Sequence, residues 1–273
     1  MIGAIIGDIT GSIYEFNYKA KRNEFSLWQE GMKFTDDTVA TIAVAKALLA
    51  KSDSSILELK KEVIEQFKYH VKKYPFVGWG GYFMDWALGD VNPDYSPYNS
   101  FGNGAAMRIS PVGWFAKSEE EVKTLSKALT EVTHNHPEGI KGAECTAMCI
   151  YWALHGYTQK EILKLVEQNY YSHVNFYDDE DLIENYDFDV TCEGTVPVAV
   201  FAFCYSSSFE DCLRRCISYG GDTDTLAAIA CSIAEAFYRV DRECNWRNNV
   251  YNRLPKDFIE TIERFEALAN KRI

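Results

Sequence analysis

The chain is short of several things, and each shortage excludes a class of protein. No apolar run approaches the roughly 20 residues that a membrane-crossing helix needs. The opening, MIGAIIGDITGS, is apolar for only a few residues and has no basic flank, so a secretory signal is not expected. Eight cysteines are present, yet no two have the C-x2-C spacing of a zinc site; Cys145 and Cys149, like Cys212 and Cys216, stand four apart. Reduced, buried thiols in a cytoplasmic protein are the expectation. Basic residues are in deficit, 28 against 40 acidic ones, for a net charge of −12. Counterion release therefore gives the chain little non-specific affinity for nucleic acid. Seven prolines and no Ser/Gly/Pro-rich linker leave its 273 residues undivided. With 47% apolar residues the chain is neither disordered nor fibrous.

What is present is helical periodicity. An Ala-rich run follows Phe34. Between Ser118 and His134, Val122, Leu125, Leu129 and Val132 share one helical face. Ser118 with Glu121, and Thr158 with Glu161, have capping-box spacing. His155-Gly156 and Gly220-Gly221 close helices, and Pro255 opens a last one. The apolar stretch Val196 to Phe203 has β-branched residues, but Pro197 and its surroundings favour a buried helix. The pattern predicts an all-α fold of ten to twelve helices in one compact domain. Two stretches are irregular: Tyr74 to Phe101, rich in Gly and aromatics, and the acidic His173 to Asp189.

Two acidic tetrads carry the first chemical signal. Thr35-Asp36-Asp37-Thr38 and Asp222-Thr223-Asp224-Thr225 each open a helix. Carboxylates and hydroxyls together supply the oxygens that a hard dication such as Mg2+ prefers. The same residues are ordinary N-caps, favoured by the free N–H groups and the helix dipole. Four carboxylates converging in a core would repel one another strongly without cations between them. Spacing alone leaves both readings open.

Gly3, Gly7 and Gly11 recur every four residues, a smooth stripe suited to close helix packing. Just past them, Glu15 sits between Tyr14 and Phe16, where an apolar setting would raise its pKa and suit it to acid/base work; a plain surface glutamate is the alternative. The loop Gly102-Asn103-Gly104-Ala105-Ala106-Met107-Arg108 has the form of an anion cradle, or of a plain turn. His134 and His136 stand two apart without a third soft ligand nearby, so a histidine that hydrogen-bonds ligand or backbone is expected rather than a metal site.

Taken in order, GAIIGDITGSIYEF, FTDDTVAT, GNGAAMR, VTHNHPEGIKGA and GGDTDTLAAIACSIAEAFY resemble the ADP-ribosylglycohydrolase family, related to the dinitrogenase reductase-activating glycohydrolase. The resemblance runs through nearly the whole chain and implies one domain over residues 1–273 with two Mg2+ (or Mn2+) ions at the base of a cleft. It places Thr35, Asp36 and Asp37 on one side of the ions and Asp222, Asp224 and Thr225 on the other. Glu15 matches the family's flexible-loop glutamate, with Asp36 and Asp37 as the other candidates for catalysis. Gly102, Asn103, Gly104, Ala105, Met107 and Arg108 would cradle a diphosphate, and His134 would contact the ADP-ribose. The implied reaction releases ADP-ribose from a protein side chain, a nucleobase or a small molecule. A catalytically weak ADP-ribose-binding module and a metal-dependent nucleotide phosphohydrolase are the other readings. A cytoplasmic monomer, with ADP-ribose or an ADP-ribosylated substrate as its partner and no membrane, completes the expectation.

Overall fold

Helices begin where the sequence sets a hydroxyl or carboxylate ahead of a periodic apolar run. In the computed structural model, which describes residues 1–16, 20, 22, 24–239 and 245–272, α1 spans Ile2–Gly11, α2 Asp36–Ala50, α3 Ile56–Lys73 and α4 Gly81–Leu88. Then come α5 (Gly104–Met107), α6 (Ser110–Phe115), α7 (Glu119–Thr130), α8 (Pro137–Leu154) and α9 (Gln159–Asn169). After a 3-10 turn at Val174–Phe176, the chain forms α10 (Asp179–Asn185), α11 (Cys192–Cys204), α12 (Phe209–Tyr219), α13 (Thr223–Tyr238), α14 (Trp246–Tyr251) and α15 (Lys256–Ala269). No strand occurs among the described residues; a single antiparallel bridge pairs Gly102 with Thr191.

The all-α expectation holds, with more helices than the ten to twelve expected. The surplus is short: α5 has 4 residues, α6 and α14 have 6, and α10 has 7. One or two turns leave no periodic stripe to read. The irregular stretches contain α4 and α10. Thr158 and Glu161 form a reciprocal capping box, whereas at Ser118 only half forms, because the Glu121 carboxylate accepts from Lys117 N at 2.7 Å instead. The Val196 to Phe203 stretch lies wholly within α11 and is buried despite Pro197.

Helix α13 is the axis of the molecule. Its residues Thr223 to Ala236 are all buried, and it packs on α1, α8, α11 and α12. The glycine stripe explains how α1 approaches it. A Cβ placed on Gly3 or Gly7 would lie 2.3 Å from the carbonyl oxygen of Cys231 or Ala227, and one on Gly11 would lie 2.5 Å from Asp224 Cα. Backbone therefore rests on backbone, and the C-terminal end of α1 meets the N-terminal end of α13. The turn into α13 uses Gly220 and Gly221 at φ of 79° and 73°, a region where side chains are strained. The seven described cysteines are free, and all but the partly exposed Cys204 are buried; Cys244 lies outside the described residues. None of the described helices is long and apolar enough to cross a membrane.

Candidate active site

The site begins with a residue that sequence reasoning passed over. Asp8 is the lone charged side chain in α1, and it is fully buried. Its carboxylate accepts from Thr35 N and Thr38 N, each at 3.0 Å, and from the Thr35 hydroxyl at 2.7 Å. Asp8 thus satisfies the free donors at the start of α2 and fixes the first tetrad against α1. A carboxylate alone in an apolar helix needs partners, and that was the available signal.

The two tetrads meet. Thr225 Oγ1 donates to Asp37 Oδ2 at 3.2 Å, joining the starts of α13 and α2. Asp222 accepts from Asn103 Nδ2 at 2.7 Å. One carboxylate oxygen from each of Glu15, Asp222 and Asp224 lies within 4.8 Å of the other two. Asp36 is half-buried, and Gly78 passes so close that a Cβ there would lie 3.0 Å from its Oδ1.

The electrostatics record a cluster of like charges. Burial first, and neighbouring carboxylates second, push Asp36, Asp37 and Asp224 well above the usual carboxylate range. Asp222 is raised mainly by burial, and Asp8 rises to about 6 for the same reason. Glu15 is pushed up to about 7, by burial and then by the charges of Asp222 and Asp8, with Lys33 opposing. Phe16 is largely exposed, so the aromatic flank expected on that side does not provide the apolar setting. Asp37 Oδ1 is buried without a hydrogen-bond partner. An orphaned carboxylate oxygen among mutually repelling oxygen donors fits a hard dication.

These groups floor a cleft of about 420 Å3. Of the residues expected at the site, Glu15, Asp36, Asp37, Asp222, Asp224, Thr225, Gly102, Asn103, Gly104, Met107, Arg108 and His134 line it. Thr35 and Ala105 do not; Thr35 lies behind, bonded to Asp8, and Ala105 is buried in α5. Both irregular stretches reach the cleft, through Gly78 to Phe83 and Tyr98 on one side and Phe188 on the other. Tyr82 stacks on Tyr98 with ring centroids 6.1 Å apart, and Phe188 on Phe16 at 5.7 Å.

The glycine loop is built differently from a row of free donors. Asn103 N bonds Val190 O at 2.8 Å, and Cys192 N bonds Phe101 O at 3.0 Å, which fastens the loop to the start of α11. Gly102 N is taken by Ser100 Oγ, and the N–H groups of Ala105, Ala106 and Met107 bond within the loop. Arg108 lines the cleft but is almost wholly enclosed. It is 1% exposed, and its guanidinium carbon lies 4.6 Å from the ring centre of Phe67 and 5.5 Å from that of Phe83. Its hydrogen bond goes to Thr133 Oγ1 at 2.7 Å. His134 Nδ1 lies 2.8 Å from that same hydroxyl, while His136 Nδ1 caps α8 by accepting from Glu138 N at 3.1 Å. The two histidines therefore do separate work, and only His134 faces the cleft.

Comparison with known proteins gives the family. A family model described as ADP-ribosylglycohydrolase matches residues 1–272. Human ADP-ribosylhydrolase ARH3 is 24% identical over 312 positions, covering 89% of this chain and 85% of its own. The ADP-ribosyl-[dinitrogen reductase] glycohydrolase of Rhodospirillum rubrum is 22% identical over 290 positions, covering 98% and 94%. A solved structure titled as an ADP-ribosylglycohydrolase-related protein complex has a TM-score of 0.74 at 19% identity, over 98% of this chain and 97% of its own. At that identity the likeness establishes a shared fold.

Proposed function

The chain belongs to the ADP-ribosylglycohydrolase family, hydrolases of ADP-ribose linkages, and on that premise we propose that it is a metal-dependent hydrolase cleaving the glycosidic bond between ADP-ribose and its acceptor. The observation that carries the reading is the convergence of Glu15, Asp222 and Asp224 within 4.8 Å on a cleft floor that also holds Asp36 and Asp37. Helix caps would have no reason to gather from three parts of the chain.

Asp36 and Asp37 on the α2 side, with Asp222, Asp224 and Thr225 on the α13 side, would hold two Mg2+ or Mn2+ ions, and Thr35, set behind them, would act through its bond to Asp8. When bound, such cations supply Lewis-acid polarisation and orient hydroxyl and water oxygens. The chain's own residues do the remaining work. Asp8 holds the α2 tetrad in place, and the Asn103 amide holds Asp222. Glu15, whose carboxyl is pushed up by burial and by the charges of Asp222 and Asp8 in the metal-free protein, is the carboxyl suited to carry the proton. It donates that proton to the departing acceptor atom as the bond to the anomeric carbon breaks. Its carboxylate then takes a proton from the water whose hydroxyl joins that carbon, so the proton is returned. Asp36 and Asp37 are the other carboxylates placed to polarise that water. The aromatic walls give the substrate flat surfaces to stack on.

The test is product analysis with Mg2+ present, over arginine-, serine- and nucleobase-linked ADP-ribose. Release of intact ADP-ribose from any of them supports the reading. Release of phosphate or nucleoside monophosphate would make the protein a phosphohydrolase, and binding of ADP-ribose without turnover of any linkage would make it a binding module.

A further inference from the structure

Arg108 stands out as a cation buried at the cleft with no carboxylate partner among the described residues and an unsatisfied Nε. A guanidinium so placed is costly to bury, and the faces of Phe67 and Phe83 with one hydrogen bond offset only part of that cost. Arg108 lines the cleft with its guanidinium packed on Phe67 and Phe83, and its one hydrogen bond to a side chain carries its effect to a neighbour.

It touches Thr133, which is fully buried. A guanidinium has only donors, so the bond between them runs one way, from Arg108 Nη2 to Thr133 Oγ1. The hydroxyl keeps its single proton to donate, and the acceptor in reach is His134 Nδ1 at 2.8 Å. In the arrangement that uses this proton, Nδ1 accepts and the imidazole proton sits on Nε2. That nitrogen lies at the glycine loop: an ideal Cβ on Gly104 would be 3.3 Å from it, and one on Gly102 would be 3.6 Å. Burial and the Arg108 charge both hold the ring neutral.

We propose that Arg108 is a positioning residue which, through Thr133, locks His134 in the Nε2–H tautomer and so supplies the cleft with a fixed hydrogen-bond donor for a phosphate oxygen of ADP-ribose. The ligand in this proposal rests on the functional reading above; the relay does not. With the N–H groups of Gly102, Asn103, Ala105, Ala106 and Met107 already engaged, the loop keeps the Gly104 N–H as a donor, and His134 adds a second beside it. Two glycines beside Nε2 leave the space that a phosphate oxygen would need.

The experiment is nitrogen-15 NMR of histidine-labelled, metal-free protein, paired with calorimetry of ADP-ribose and of Mg2+ alone. Wild type and Thr133→Ser should show a pyridine-type Nδ1 and a pyrrole-type Nε2 for His134. Thr133→Val removes the hydroxyl at constant shape, and Arg108→Gln replaces a donor-only group with one that can also accept. Both should populate the Nδ1–H tautomer and weaken ADP-ribose by about tenfold, the usual scale for a lost bond to a charged group, with Mg2+ affinity unchanged. An Nδ1–H tautomer in wild type overturns the proposal. So does a Thr133→Val protein that keeps the wild-type tautomer or the wild-type affinity, whether or not Arg108→Gln folds. Failure of wild type to bind ADP-ribose at all would instead overturn the functional reading, and the tautomer would still decide the relay.

Discussion

Thr225 Oγ1 and Asp37 Oδ2 are hydrogen-bonded at 3.2 Å although 188 positions separate them in the chain. The bond ties the starts of α2 and α13, so the two acidic tetrads form one surface. It also accounts for one oxygen of Asp37 and leaves Oδ1 buried without a partner. A dication at that oxygen would relieve both the missing bond and the mutual repulsion of the carboxylates.

If the tetrads act as one centre, each half is indispensable. Asp36→Ala and Asp224→Ala should each lower ADP-ribose release by about a hundredfold or more, since losing one ligand commonly unseats an ion. Steady-state kinetics at saturating Mg2+ checks this, and near-normal turnover in either variant would contradict the shared centre.

Glu15 should separate binding from cleavage. Glu15→Gln is expected to keep ADP-ribose affinity close to wild type while kcat falls by about a hundredfold, within the range typical of a lost acid/base. Loss of binding in parallel with kcat would make Glu15 a structural residue.

The raised carboxyls give the metal-free protein a defined pH dependence. Glu15 is shifted from 4.5 to about 7 on folding, so its contribution to stability is full below 4.5 and is lost as pH rises through about 7. Asp8 behaves alike between 3.8 and about 6. His70 is opposite: burial lowers it from 6.5 to about 4, so its contribution is present above 6.5 and is lost as pH falls through about 4. Thermal melts of metal-free wild type should therefore lose ground to Glu15→Gln as pH rises through about 7, and saturating Mg2+ should remove that trend. Mg2+ binding near neutral pH should also release protons, read as a dependence of the calorimetric heat on the buffer's ionisation enthalpy.

The glycine stripe offers a matched pair. Gly3→Ala and Gly11→Ala both push a Cβ into the α13 backbone or its side chains and should cost about 1–3 kcal/mol each as overpacking. Only Gly11 abuts Asp224, so only Gly11→Ala should also weaken Mg2+ binding and activity. Denaturant titration together with metal calorimetry distinguishes the two effects.

Much of this was legible because its causes are local. Apolar periodicity placed the long helices, the Ser and Thr caps marked their starts, and Gly3, Gly7 and Gly11 announced a close contact without naming its partner. Short helices such as α5 and α10 carry too few turns to leave a pattern. The role of Asp8 was obscured because its partners, Thr35 and Thr38, lie 27 and 30 residues away, a juxtaposition set by the packing of α1 against α2. The surroundings of Arg108 are hidden for a related reason. A cation after a glycine loop reads as an anion ligand, and nothing in the local sequence shows that Phe67 and Phe83 enclose it.

The most direct test of the central claim is isothermal calorimetry of ADP-ribose binding with and without Mg2+, on wild type and Asp224→Ala. Binding that requires both the metal and Asp224 is the expected result and would make the joined tetrads a single metal-dependent site. Binding indifferent to both would reduce the aspartates to helix caps and contradict the account.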